Sequence, residues 1–230
     1  MSRLGPVITL AAGVVLAMGL GVASYTATPA AEETAANTAA EAPRAEGSAE
    51  PSAEQSQEQT EPKKIAKADY AGRVKGTGAL VAISIRNGKA VGYFCDGRTE
   101  AWFKGTESAG ELRLKGVANA ASKVTAELGD GRAEGWVSVG GKRWDFAAPT
   151  VVKPSGLYRA TANVRGARLR AGWIRIKDPN GGYYQVGTAF VGEQQLDIPQ
   201  LDDEQPTAPV TIDGTTVTPK DVDGFIEEMQ

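Results

Sequence analysis

From Asp69 onward apolar and polar residues alternate in short runs, and turn dipeptides separate the runs. A period of two sends successive side chains to opposite faces, as a strand with one buried face requires. Residues 111–115 alternate cleanly, with Leu112 and Leu114 inward and Glu111, Arg113 and Lys115 outward. Residues 123–128 follow with Val124, Ala126 and Leu128 inward. The runs 79–86 and 89–96 flank Asn87-Gly88, the strongest two-residue hairpin signal a sequence offers. Asp96-Gly97 turns the chain into 99–104, and Gly129-Asp130-Gly131 leads into 132–139, where Ala133, Gly135, Val137 and Val139 share a face. Gly140-Gly141 leads into 142–147 and buries Trp144 and Phe146. After Pro149 and Pro154 come 157–165, 168–177 and 183–191, the last two joined through Asp178-Pro179-Asn180-Gly181-Gly182.

These runs amount to about ten or eleven strands with no helical period between them. Regular hairpins without crossovers predict an all-β, antiparallel up-and-down meander. Closure into a β-barrel removes the sheet edges and is the expected form; a two-sheet sandwich is the alternative. The inward Gly and Ala residues suit tight curvature. The β domain is expected over residues 66–200. In 201–230, Val210-Thr211-Ile212 and Thr216-Val217 flank Asp213-Gly214 as a further small hairpin. Thr218 as N-cap, Pro219 at N1 and Asp221 at N3 then announce a short C-terminal helix. Val222, Phe225, Ile226 and Met229 fall at helical spacing as one apolar stripe. That stripe predicts a helix docked on the domain; the alternative is a protein partner engaged through the same four residues.

The N-terminus has a different character. Arg3 precedes an apolar stretch over residues 4–23, about the length that crosses a bilayer as a helix. Residues 1–25 are therefore expected to be a transmembrane signal-anchor; cleavage near Ala23, after Gly21-Val22-Ala23, would instead make them a signal peptide and the rest secreted. No cysteine lies nearby to carry a lipoprotein anchor. Arg3 would stay inside, which places the C-terminal domain outside the cell membrane. Residues 26–65 form an acidic linker; its 26–62 stretch holds eight Glu against Arg44 and almost no large apolar side chain, a composition expected to be disordered.

Composition then excludes whole classes of chemistry. The chain has no histidine and one cysteine, Cys95, so Ser-His-Asp and Cys-His catalysis, His- or Cys-rich zinc sites and an intramolecular disulfide are all ruled out. Cys95, in the apolar run Val91-Gly92-Tyr93-Phe94-Cys95, reads as a small buried hydrophobe. Paired carboxylates are the remaining catalytic option, and the spacing of Asp96, Glu100, Glu111, Glu134 and Asp145 singles out no pair. The expectation is a protein that is not an enzyme and needs no cofactor or metal.

Charge is segregated. Residues 63–200 hold twenty-two Lys/Arg against twelve Asp/Glu, whereas the tail after Gln200 holds eight acidic residues against Lys220. The density peaks in one hairpin, where Arg159, Thr161, Asn163 and Arg165 share a face and Arg168 and Arg170 follow a Gly166-Ala167 turn. That turn would set Arg165 opposite Arg168, a like-charge pairing that needs an anion or a nearby carboxylate. A β-bulge near Ala171-Gly172 would return Trp173, Arg175 and Lys177 to the same basic face, with Trp173 as a stacking platform. The candidate ligand site is thus Arg159, Arg165, Arg168, Arg170, Trp173, Arg175 and Lys177, facing an anionic envelope polymer or phospholipid surface, with the acidic tail as competitor. Solvated arginines paired with the chain's own carboxylates are the plain alternative. No nucleic-acid-binding motif is present. A second alternative is a barrel that carries a small apolar ligand among Tyr93, Phe94, Trp102, Trp144 and Phe146.

The stretch from Tyr93 through Asp96-Gly97-Arg98 to Glu100-Ala101-Trp102-Phe103, together with the run from Arg165 to Ile174, resembles exported proteins of actinobacterial type. The resemblance covers roughly the β domain. It implies an envelope location and assigns no activity and no site.

Overall fold

Eight strands follow one another as a single antiparallel meander: β1 (Lys67–Arg73), β2 (Leu80–Arg86), β3 (Lys89–Cys95), β4 (Glu100–Ser108), β5 (Glu111–Gly116), β6 (Lys123–Gly129), β7 (Arg132–Val139) and β8 (Lys142–Pro149). The computed structural model describes residues 65–164 and 166–229, so the expected membrane anchor and nearly all of the acidic linker lie outside the described residues. Among the described residues, no helix is long and apolar enough to cross a membrane. The turn dipeptides behave as their chemistry demands. Asn87-Gly88, Asp130-Gly131 and Gly140-Gly141 all have two successive positive φ angles, the geometry that matches the twist of the flanking strands.

The meander curls until its ends meet, giving a nearly closed barrel. β1 reaches β8 through the bridges Tyr70↔Thr150 and Val74↔Phe146, supported by hydrogen bonds from Lys75 N to Asp145 O and from Val151 N to Asp69 O, each 2.8 Å. Its interior is filled by side chains, among them Ile83, Phe94, Phe103, Leu112, Val137 and Phe146. Eight strands leave about that much room. The inward glycines permit the curvature: a Cβ on Gly135 would stand 2.0 Å from the Thr125 carbonyl oxygen of the next strand.

The remaining strands do not extend the barrel, contrary to the single ten- or eleven-stranded meander expected from the spacing. With β8 turned back onto β1, no free edge is left for them. They form a second sheet in the order β12-β11-β10-β9-β15, from β9 (Gly156–Val164), β10 (Ala167–Lys177), β11 (Tyr183–Val191), β12 (Gln194–Leu196) and β15 (Lys220–Asp221). One face of this sheet packs on the outside of the barrel. Leu157, Ile174, Val222, Phe225 and Ile226 meet Ala71, Leu80, Ala82, Val91, Tyr93 and Cys95 there. β2 and β3 are therefore buried on both faces. The other face of the sheet lies under the chain's own later segments, with Tyr158, Leu169 and Trp173 against Leu201, Ile212 and Val217. β13 (Val210–Ile212) and β14 (Thr215–Val217) form the small hairpin around Asp213-Gly214.

The C-terminal helix is shorter and starts later than the sequence signals imply. Asp221 is its N-cap, accepting from Gly224 N, and α1 (Val222–Phe225) passes into one 3-10 turn over Ile226–Met229. Thr218 and Pro219 precede β15 instead, because Lys220 and Asp221 pair with Arg159 and Tyr158 at the edge of β9. The apolar stripe is nevertheless real. Val222, Phe225 and Ile226 are buried and Met229 packs against them, each buried anchor worth about 1.5–3 kcal/mol of transfer free energy.

Candidate functional site

The basic hairpin forms, with a register that divides its cations. Ala167 pairs with Val164 and Arg168 with Asn163, so Arg168 does not stand opposite an arginine. Arg165 lies outside the described residues. Pairing then runs without a break to Arg175↔Gly156 on one side and to Lys177↔Tyr183 on the other. No bulge resets the alternation at Ala171-Gly172. Arg159, Arg168 and Arg170 consequently share the barrel-facing side with Ile174, whereas Trp173, Arg175 and Lys177 point to the opposite side. Gly172 shows why the barrel-facing side can seat: a Cβ there would stand 2.6 Å from both the Tyr93 and Trp102 rings.

Most of the expected ligand site is committed to contacts within the chain. Trp173 has no exposed surface and donates from Nε1 to Pro199 O at 3.0 Å, so it is a core residue and not a stacking platform. Arg175 is 1 % exposed. Its guanidinium donates to Asp202 O and Asp203 Oδ1, both at 2.6 Å, and lies 4.5 Å from the Tyr183 ring centroid. Arg159 is half-buried beside Trp102 and Phe225, with Glu228 at 3.6 Å. Burial, and then the charge of Arg168, lower its pKa. The acidic tail thus neutralises two of these arginines, Glu228 meeting Arg159 and Asp203 meeting Arg175. Arg168 and Lys177 remain exposed and in no ion pair among the described residues.

Arg170 leads to a polar cluster that alternation alone does not reveal. Its Nε donates to Glu100 Oε1 at 3.1 Å, and its guanidinium lies 5.0 Å from the Phe190 ring centroid. Glu100 Oε2 accepts from Tyr93 Oη at 2.9 Å and from Thr188 Oγ1 at 3.0 Å. Burial drives the Tyr93 pKa well above its ordinary value, so the phenol keeps its proton and donates it. Cys95 is buried beside this cluster, accepts from Gly97 N at 3.3 Å, and has its pKa raised, chiefly by burial. A protonated, enclosed thiol is a poor nucleophile. The arrangement clamps barrel to sheet.

A groove opens where the barrel seam meets the second sheet, with a volume of about 650 Å³. Its apolar lining includes Ala71, Ala147, Pro149, Val152, Pro154 and Tyr183, and Val152 is 83 % exposed. Among the described residues, the charged groups that line it are all cations: Arg73, Lys153 and Lys177. Arg73 lies 4.2 Å over the Tyr184 ring, and Lys153 is ion-paired with Asp221 and Asp223, contacts that raise its pKa, the Asp221 hydrogen bond most. Lys177 is the one expected site residue found here. The sequence signal for the rest was weak, since the groove draws on β1, β8, the 150–155 connection and β10.

The aromatic set expected to line a barrel cavity is divided by the barrel wall. Phe94 and Phe146 belong to its core, with Trp144 packed against it, while Tyr93 and Trp102 lie outside, under the second sheet. The carboxylates weighed for catalysis do not converge either. Glu111 pairs with Arg113, Glu134 with Arg132, and Glu100 with Arg170. Comparison with protein-family models, with curated proteins and with solved structures finds no match to this chain.

Proposed function

We propose that this chain is a non-catalytic binding domain, tethered outside the cell membrane by residues 4–23, whose ligand is an anionic amphiphile held in the seam groove. The observation that carries the reading is the pairing of an apolar lining with Arg73, Lys153 and Lys177 and with no carboxylate. Such a groove suits a ligand with a hydrocarbon or aromatic body and a carboxylate or phosphate head. Lys177 and Arg73 would meet the head from the rim, and Lys153 would share it with Asp221 and Asp223. The hairpin as a polymer-capturing surface is a weaker reading, because Arg159, Arg170 and Arg175 already have partners. The tethered location rests on the order of Arg3, apolar span, acidic linker and β domain.

Titration of the full-length chain with lysophosphatidylglycerol and with lysophosphatidylcholine of the same chain length tests the groove. The anionic lipid should bind more tightly, and Lys177→Gln should weaken it roughly fivefold at low salt while sparing the zwitterionic one. Ala147→Phe, which fills the groove, should abolish binding of both. Equal affinity for the two lipids, or full binding by Ala147→Phe, would reject the reading.

A further inference from the structure

The outer wall of the barrel away from the second sheet carries a row of like charges that no part of the groove reading uses. Lys104 on β4 pairs in register with Lys115 on β5, and Lys115 with Lys123 on β6. The same rung continues through Ser138 on β7 to Arg143 on β8. All three lysines and Arg143 are exposed, and none of the four is in an ion pair among the described residues. Of the glutamates of the same wall, Glu111 and Glu134 each have an arginine of their own strand, while Glu127 stands in register between them without one among the described residues. Directly opposed like charges, with cross-strand Cα spacings of about 4.5–5.5 Å, weaken a ladder. Nothing in the barrel's packing requires lysine at these positions, which point to solvent.

We propose that the Lys104–Lys115–Lys123–Arg143 row is a binding surface for a linear polyanion. The direction of the row decides between a polymer and a membrane. It crosses five neighbouring strands and so follows the circumference of the barrel, where successive side chains fan out over a convex surface. A flat bilayer touches such a surface along a narrow strip and meets few of the four cations together. A flexible polymer with closely spaced negative groups can follow the curve and meet all of them, releasing its counterions as it does so. The row is separate from the groove, so Ala147→Phe should leave this binding unchanged.

The test is fluorescence anisotropy of labelled linear polyphosphate with the full-length chain, from low salt to about 0.3 M, where the screening length shrinks to about one strand spacing. The variant is Lys104→Gln/Lys115→Gln/Lys123→Gln, with Arg98→Gln in the exposed β3–β4 turn as an equal-sign charge control. Wild type and Arg98→Gln should bind alike. The triple variant should bind about a hundredfold more weakly, roughly fivefold per lysine, with a shallower dependence on salt. Absence of binding by wild type at low salt, or unchanged binding by the triple variant, would overturn the proposal. So would tighter, lysine-dependent binding to phosphatidylglycerol vesicles, which would assign the row to a membrane. Thermal melting gives a readout without ligand. The triple variant should melt at the same or a higher temperature at low salt, because the repulsive rungs are gone. A lower melting temperature would show that the lysines already have an intramolecular partner, and would likewise defeat the proposal.

Discussion

The two halves of the barrel wall are built from similar strands and read very differently. β5 to β8 face water on one side, and alternation is clearest in β5, with Leu112 and Leu114 buried between exposed Glu111, Arg113 and Lys115. β2 and β3 lie under the second sheet and show no alternation in burial, with every residue from Leu80 to Ile85 enclosed. The same holds for β10, where Trp173 and Ile174 are neighbours in sequence, point opposite ways and are both buried. A strand covered on both faces needs polar groups with assigned partners. A strand with one wet face leaves them to solvent. Arg175 and Arg113 illustrate the difference: one is locked between a carbonyl, a carboxylate and a ring, and the other turns to Glu111 of its own strand.

The contrast can be broken most forcefully at Gly172. Gly172→Val places methyl groups where the Tyr93 and Trp102 rings lie, and the second sheet should lose its seat on the barrel. A loss of about 3 kcal/mol is expected in urea denaturation. Gly129→Ala, on the wet wall with open space around its Cβ, should change stability far less.

Next in size comes Glu107, a buried carboxylate that accepts from Ile65 N and Gly110 N, each at 3.0 Å. Glu107→Ala leaves two backbone donors without their partner. It should cost about 2 kcal/mol in the same assay, with Glu107→Gln in between.

Acid should loosen the C-terminal helix by a smaller amount. Asp223 is held well below its ordinary value of 3.8, first by the Lys67 hydrogen bond; burial opposes this, and Arg86 and Lys153 add further lowering. Its folded-state pKa is depressed, so its contribution is complete above that ordinary value and drains away as pH falls below it. The stability gap between wild type and Asp223→Asn should stay constant down to about pH 5, narrow as pH falls below 3.8, and close only well below that value. A gap that does not narrow below 3.8 would mean the carboxylate's charge is not what holds the helix. The smallest effect belongs to the wet wall, where Glu134→Ala should stay within about 0.5 kcal/mol.

The one-sided strands were legible in the sequence almost residue by residue, because their period and turn dipeptides carry the same message. β4 runs on to Ser108, beyond the expected 104, because its turn is Ala109-Gly110, and an alanine at φ 54° gives no turn signal. β1 was missed, and β12 and β15 are too short to show a period. The hairpin's site was misread for a physical reason. An arginine at a two-sided position looks identical in sequence to one in solvent, and Trp173 was moved to the wrong face by a bulge that does not exist. Arg170, Glu100, Tyr93 and Thr188 come together across four strands and two sheets. No local pattern encodes that meeting.

The C-terminal segment sets a temporal order on the fold. Asp223 holds Lys67 of β1, Arg86 of β2 and Lys153 of the connection, while β15 closes the edge of β9. The residues that fasten barrel to sheet thus come later in the chain than both of the layers they join. A nascent chain can complete its eight-strand meander early, but it holds the second sheet without its edge strand and helix until translation reaches this segment. A chain interrupted before Lys220 would leave a barrel with its outer layer unfastened, exposing Leu80, Val91 and Tyr93 to whatever is nearby.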